Sequence, residues 1–199
     1  MKRNQNSNFS TRKMVLMAIL IAIQIVLARY LAIHVNDVLR ISFETVPLAL
    51  AGMWLGPVGG AIVALVSDLL GTIIYGYGLW FPPIALGPMF FAAFCGWGTK
   101  YIFRSNLTEN RDTLKVIVLT AVAGIINAFV IGVLTTTLYQ MIIVGKDGTF
   151  LTLSWLNLLG RLTTKPLVIA ACSVIVAIIN RTVYRPVIAR IVRRGPHGI

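Results

Sequence analysis

The sequence predicts an all-α integral membrane protein, a compact bundle of six transmembrane helices with both termini in the cytoplasm. Hydrophobic residues make up 57% of the 199 residues and charged residues only 12%, which leaves too little polar surface for a soluble domain. Several apolar runs approach the roughly 20 residues that cross a bilayer. The distribution of basic residues gives the orientation.

Six spans follow in order along the chain. The run after Lys13 is a first helix rather than a signal sequence, because no small-residue cleavage site follows it. Pro47 lies in the first half of the second span, where we expect a kink beside a cavity. Gly56 and Pro57 then leave little room for a soluble domain. The predicted spans are 14–33, 41–55, 58–75, 84–103, 114–144 and 153–183, in one membrane domain over 1–199 with cytoplasmic tails at 1–13 and 184–199.

Most of the 18 Lys and Arg residues lie in the amino-terminal tail, after the fourth span and in the carboxyl-terminal segment. Cytoplasmic loops carry an excess of Lys and Arg, so these three regions are predicted to be cytoplasmic. The same rule accounts for the net charge of +12, and nucleic acid is therefore not an expected partner. The expected partner is instead the lipid bilayer.

Ionised residues within the predicted spans mark the candidate site. An ionised group near the centre of a membrane helix costs about 2.5–3.5 kcal/mol, so Glu44 and Asp68 are expected to have a use. The rise per residue of a helix places Asp68 just past the midplane of the bilayer. Arg161 and Lys165 are four residues apart, which places them on one face of their helix. Arg40 and Glu44 share that spacing. These groups either pair to hold helices together or form a binding site in the outer half of the bundle.

The cations of this region outnumber the two acids, which favours an anionic ligand that carries carboxylates. The four cations are Arg29, Arg40, Arg161 and Lys165. Two features reduce this surplus: Asp37 is close by in the first outer loop, and Arg29 can extend to the membrane interface.

Aromatic residues indicate a flat ligand. The segment from Tyr75 to Pro83 combines aromatic residues with Gly and Pro, and it is interpreted as a stacking lid, although interfacial Trp and Tyr also occur without any ligand. The stacking candidates are Tyr75, Trp80, Phe81, Tyr139 and Trp155, and the candidate partners of ring nitrogens and amines are Ser42, Glu44, Asp68 and Asn127.

Enzymatic chemistry finds little support. The remaining acids lie in loops, His34 and His197 are isolated, and Cys95 and Cys172 lack metal-like spacing. We expect no catalytic residue, no metal and no cofactor. Without a phosphate-binding loop, active transport would need partner subunits or an ion gradient.

An ordered set of motifs covers most of the chain. Ala18 and Ala22 form a small-residue pair in the first span. Residues 40–57 read RISFETVPLALAGMWLGP, and residues 67–71 read SDLLG. In the last span, Arg161 lies four residues before Lys165. This set resembles the substrate-binding S-components of energy-coupling factor (ECF) vitamin transporters, and most of all their folate-specific branch.

The resemblance implies a multi-pass protein of the bacterial cytoplasmic membrane that binds folate at the outer face. Folate joins a flat pterin to a glutamate with two carboxylates. A membrane T-component and two cytoplasmic ATPases would be the partners, with Ala18 and Ala22 on the docking surface. The S-component would topple in the membrane to release its cargo, and the loops at 34–40 and 76–83 would act as gates.

The hypothesis is a folate-binding S-component. Arg40, Arg161 and Lys165 would bind carboxylates, and Asp68 and Asn127 would bind the pterin. The nearest alternative is an S-component for another vitamin or a queuosine precursor. A solitary carrier that relays protons through acidic residues of the spans belongs to a different class. A membrane transferase is disfavoured by the missing acidic metal motif.

Overall fold

Helices dominate the structure, a computed structural model that describes residues 11–30, 33–36, 39–41, 43–75, 81–102, 110–145 and 148–183. The elements are α1 (Thr11–Arg29), β1 (Ile33–Asn36), β2 (Leu39–Ile41), α2 (Thr45–Tyr75), α3 (Pro82–Trp97) with a π-helical end (Gly98–Ile102), α4 (Asn110–Ile125), a π-helical segment (Ile126–Ile131), α5 (Gly132–Ile142) and α6 (Phe150–Val183).

The predicted apolar, membrane-crossing character is confirmed. Within the described residues, four helical stretches are long and apolar enough to cross a membrane: Thr11–Ala28, Thr45–Ile74, Thr113–Ile142 and Phe150–Val183. The count of six spans, the single domain over 1–199 and the cytoplasmic position of both termini stay predictions. Residues 1–10 and 184–199 of the predicted tails lie outside the described residues.

A sharp break divides α2 at Gly56. Its backbone has φ 85° and ψ 177°, a conformation that glycine adopts without steric cost. Pro57 then begins the second half, where its missing N–H would be unpaired in any case. The two halves are α2a (45–55) and α2b (57–75), and their junction is the predicted boundary between the second and third spans.

The expected kink at Pro47 is wrong. Pro47 lies in the first turn of α2, which begins at Thr45, and the non-helical backbone in this element is at Gly56 instead. Proline is tolerated in a first turn because the N–H groups there have no partner within the helix.

A short antiparallel hairpin lies between α1 and α2. Ile33 pairs with Ile41 and His34 pairs with Arg40, so the predicted first span extends too far and the second begins too early. Apolar residues alternate with polar ones through both strands, which is the period of a strand rather than of a helix. The two strands include residues 34–36 and 39–40 of the segment that was expected to form a gating loop.

Small residues bring α2 and α3 into backbone contact. A Cβ atom added to Gly52 would overlap the carbonyl oxygen of Ala92. One added to Gly96 would lie 2.6 Å from the Pro57 nitrogen and 2.7 Å from the Gly52 oxygen. Glycine and alanine permit such approaches between membrane helices.

A buried hydrogen bond connects α2a to α6. Trp54 donates its indole N–H to Oδ1 of Asn180 over 3.0 Å, and both side chains are buried. In an apolar medium each of these groups would be costly without the other. The bond therefore holds α6 against the α2–α3 pair, while α4 and α5 also pack on α6.

We expect Gly96→Ala to lower the free energy of unfolding by about 1–3 kcal/mol, the usual cost of overpacking. The new methyl group would meet backbone atoms, which cannot rotate away. Thermal unfolding of the detergent-purified protein measures this loss.

Gly124→Ala is the matched control, because its Cβ would lie 3.1 Å from the Ile169 side chain, which can adjust. Equal unfolding midpoints for the two variants would contradict the proposed backbone contact.

Candidate ligand-binding site

A cavity of about 550 Å³ lies between the helices, within the size range of small-molecule sites. All five long elements contribute to its wall: α1, α2, α3, the continuous helix from α4 to α5, and α6. The predicted site residues that line it are Glu44, Asp68, Phe81, Asn127, Tyr139, Arg161 and Lys165. Residues separated by up to 121 positions in sequence therefore meet at one cavity.

Other predicted site residues are placed differently. Ser42 and Trp80 lie outside the described residues, as do the side chains of Arg40 and Tyr75. Trp155 is 62% exposed and is not part of the cavity wall, so its stacking role stays a prediction.

The proposed docking pair lies on α1. Ala18 and Ala22 are both exposed, one helical turn apart. Their role in partner docking stays a prediction.

The Arg161 guanidinium is held by three uncharged acceptors. Its Nη1 donates to the Ala128 carbonyl over 3.1 Å, and its Nη2 donates to the Gly132 carbonyl over 3.0 Å and to the Thr136 hydroxyl over 2.6 Å. Since these partners carry no formal charge, they orient the guanidinium without neutralising it. Among the described residues Arg161 has no carboxylate partner.

The π-helical segment supplies the Ala128 carbonyl. The Gly132 N–H bonds to the Asn127 carbonyl, five residues back, rather than to that of Ala128 as in an α-helix. The Ala128 carbonyl accepts from Arg161 instead. A local widening of the helix thus provides an acceptor for a cation inside an apolar bundle.

The same segment keeps one row of residues on the cavity wall. In an α-helix, steps of four residues drift by about 40° each, so a long row would rotate away from the cavity. The wider π turn offsets this drift. The row at spacing four that lines the cavity is Thr120, Gly124, Ala128, Gly132 and Thr136.

Glycine at two positions makes room for polar side chains. A Cβ on Gly132 would overlap Nη1 of Arg161, so a larger residue here would displace the guanidinium from its present position. A Cβ on Gly87 would lie 2.9 Å from Oδ1 of Asn127, close enough to crowd it.

Asn127 lines the cavity and carries an unpaired acceptor that is buried next to Gly87. Its Oδ1 is the buried side-chain oxygen or nitrogen atom without a hydrogen-bond partner in the part of the chain that the structure describes. Leaving a buried polar atom unpaired costs about 1–3 kcal/mol, so a ligand donor at this position would recover that energy.

Charges of both signs line the cavity. Glu44 and Asp68 stand with Arg161 and Lys165, which makes the described wall balanced. The predicted surplus of cations depends on Arg29 and Arg40, whose side chains lie outside the described residues. The wall can therefore pair with donors and with carboxylates on one ligand.

An aromatic pair forms part of the wall. The rings of Phe81 and Tyr139 lie 5.9 Å apart between centroids and are inclined by 59°. They come from the amino-terminal end of α3 and from α5, and both line the cavity. Such faces suit a flat ring.

Sequence reasoning missed a set of hydroxyl groups on the wall. Each donates to a carbonyl of its own helix, at 2.7–3.0 Å, so its oxygen remains as an acceptor. They are Ser67, Thr120, Thr135 and Ser173. The presence of Ser and Thr within otherwise apolar helices was the signal in the sequence that could have identified them.

Gln24 of α1 was missed as well. It lines the cavity and is only 7% exposed. The signal was present, because Gln24 is the single polar residue between Met14 and Ala28.

A polar network fixes α5 on α6 beside Arg161. Asn157 donates to the Thr137 hydroxyl over 3.1 Å and to Oε1 of Gln140 over 2.9 Å. Ser154 also donates to Thr137 over 3.4 Å. These bonds set the separation that lets Arg161 reach the carbonyls.

Comparison with known proteins gives a consistent picture. A family model described as the S component of ECF-type riboflavin transporters matches residues 8–158. The folate transporter FolT of Clostridium novyi (strain NT) is 32% identical over 133 residues, which are 67% of this chain and 70% of that protein. The folate transporter FolT of Leuconostoc mesenteroides subsp. mesenteroides is 38% identical over 71 residues, 36% of this chain and 37% of that protein.

The fold also matches a solved structure. The crystal structure of FolT bound with folic acid superposes with a TM-score of 0.67 at 23% identity, covering 88% of this chain and 96% of that chain.

We expect Thr136→Val to lower the free energy of unfolding of the ligand-free protein by about 1.5–3 kcal/mol, because it removes a hydrogen bond to a charged group. Thr135→Val is the matched control, since the Thr135 hydroxyl bonds to the Ile131 carbonyl of its own helix. Thermal unfolding measures both. A loss no greater for Thr136→Val than for Thr135→Val would contradict the role given to this bond.

Proposed function

Since the chain belongs to the family of ECF-type transporter S components, we propose that it is a folate-binding S component that captures folate at the outer face of the cell membrane. Uptake is driven by ATP hydrolysis in two cytoplasmic ATPase subunits, coupled through a membrane T-component. The chain itself is a multi-pass membrane protein and contributes the substrate-binding site.

One observation carries this proposal: acid, amide, cation and aromatic groups line a single cavity. Folate needs all four. Asp68 and Asn127 suit the N–H groups of the pterin, the rings of Phe81 and Tyr139 suit its faces, and the cations suit the glutamate carboxylates.

Arg161 and Lys165 both bind the carboxylates of the ligand. A guanidinium has five N–H donors, and Arg161 directs three to protein acceptors, so two remain for a ligand. Lys165 lies one turn further along α6 and also lines the cavity. Because the guanidinium is oriented before the ligand arrives, binding does not have to pay for ordering it.

Riboflavin is the competing ligand, because the matching family model is described by that name. Its ribityl chain bears hydroxyl groups and no carboxylate. The two cations on the cavity wall can pair with the two carboxylates of the folate tail, and a neutral ribityl chain offers no such contact. The cavity chemistry and the FolT relatives therefore favour folate.

We expect the detergent-purified protein to bind folate, detected by quenching of tryptophan fluorescence, and to bind it more tightly than riboflavin. Lys165→Met should weaken folate binding by roughly ten- to a hundredfold, because a charge-assisted contact is lost. Pteroate, which lacks the glutamate, should lose little affinity.

Lys115→Met serves as the control, since Lys115 is exposed on α4 and is not part of the cavity wall. A wild-type protein that ignores folate and binds riboflavin would overturn the folate assignment. An equal loss for folate and pteroate would overturn only the role of Lys165.

Transport distinguishes an S component from a solitary proton-coupled carrier, in which Glu44 and Asp68 would relay protons. We expect folate uptake into cells to require the T-component and both ATPases, and to stop when the ATPases are inactivated by mutation. Binding by the purified chain should be unaffected. Uptake by this chain alone, abolished by collapse of the proton gradient, would support the carrier instead.

A further inference from the structure

We propose that Gln24 of α1 determines ligand specificity, by pairing its side-chain amide with the polar edge of the ligand's heteroaromatic ring. This inference rests on the proposed function, in which the cavity binds folate. It adds to the site a residue from a helix whose other wall positions are apolar.

Gln24 is the one polar residue in an apolar stretch of α1. The other residues from Met14 to Ala28 are apolar, and Gln24 is only 7% exposed. It lines the cavity, and no described residue forms a hydrogen bond with it. An unpaired amide inside a membrane helix is costly, so its retention indicates a partner that arrives with the ligand.

Other amides in the bundle show what a structural role involves. Asn180 accepts a hydrogen bond from Trp54, while Asn157 and Gln140 bond to each other across α5 and α6. These three amides are paired within the protein. By contrast, no described residue forms a hydrogen bond with the Gln24 amide or with Oδ1 of Asn127, and both residues line the cavity. The unpaired amides therefore coincide with the ligand site.

The chemistry of the walls assigns Gln24 to the ring rather than to the carboxylates. The α1 residues on the wall are Gln24, Ile25 and Ala28, all uncharged, whereas Arg161 and Lys165 both come from α6. A primary amide presents a donor and an acceptor side by side. That pattern complements a ring edge on which an amine or N–H adjoins a ring nitrogen or oxo group, as in an aminopyrimidinone.

The test uses Gln24→Leu, which keeps the side-chain volume and removes the amide. Its affinity for folate should fall by about ten- to a hundredfold, because polar ligand groups would lose their partner. Competition of partial ligands against folate then shows which end of folate depends on Gln24. Pteroate should lose the same factor, and p-aminobenzoyl-glutamate, which lacks the ring, should bind as it does to the wild type.

Stability of the ligand-free protein supplies an independent readout. Gln24→Leu should leave the unfolding midpoint unchanged or raise it, because it removes an unpaired polar group. Asn157→Leu, which removes a paired amide outside the cavity wall, should lower the midpoint. A structural glutamine would behave like Asn157.

The outcomes are distinguishable. If the wild type binds folate and Gln24→Leu binds it equally well, the inference about Gln24 is wrong and the proposed function stands. A matching loss for p-aminobenzoyl-glutamate would overturn the assignment to the ring. If the wild type does not bind folate, the proposed function fails, and a lowered midpoint for Gln24→Leu would then reject Gln24 as a binding residue too.

Discussion

The hydrogen bonds from Arg161 to the carbonyls of Ala128 and Gly132 are the interaction on which the rest of the site depends. A guanidinium in an apolar bundle requires acceptors, and regular helices offer few because their carbonyls are already bonded. The π-helical segment resolves this conflict by redirecting one N–H to Asn127. It also keeps Thr136, the third acceptor, on the cavity wall. One local change in helix geometry therefore places the cation, the amide and the wall together.

The apolar surroundings of a membrane protein raise the cost of leaving the remaining polar groups unpaired. In water an unpaired amide costs little, but within a bundle of apolar helices each one must be paired or used. Trp54 with Asn180 and Asn157 with Gln140 are paired, and they hold helices in place. Serine and threonine hydroxyls on the wall bond their own backbones and so present only acceptor oxygens. Amides that bond between helices thus belong to the framework, whereas the unpaired acceptor of Asn127 belongs to a residue of the cavity wall.

Much of this arrangement could be predicted from the sequence. Composition indicated the membrane class, Gly56 and Pro57 indicated the break in α2, and helical spacing brought Asp68, Arg161 and Lys165 to similar depth. Depth along a helix follows from residue number, but rotation about the helix axis does not. For that reason Gln24 was missed. No residue type marks the π-helical segment, because it depends on tertiary contacts such as those of Arg161 rather than on local propensity. The hairpin at 33–41 was missed because its apolar residues continue those of the neighbouring helices.

The π-helical segment makes the number of residues between 126 and 131 as important as their identity. A π turn accommodates one extra residue, so deleting one residue there would restore α-helical geometry, leave Thr136 and Tyr139 in their present orientation, and return the Ala128 carbonyl to a backbone N–H. Relatives can be compared on this basis. Where an alignment opens a one-residue gap in this segment, the positions that follow remain equivalent, but the shorter chain lacks the displaced carbonyl that accepts from Arg161 here. Chain length at this point is thus itself a property that can be inherited or lost, separately from any single side chain.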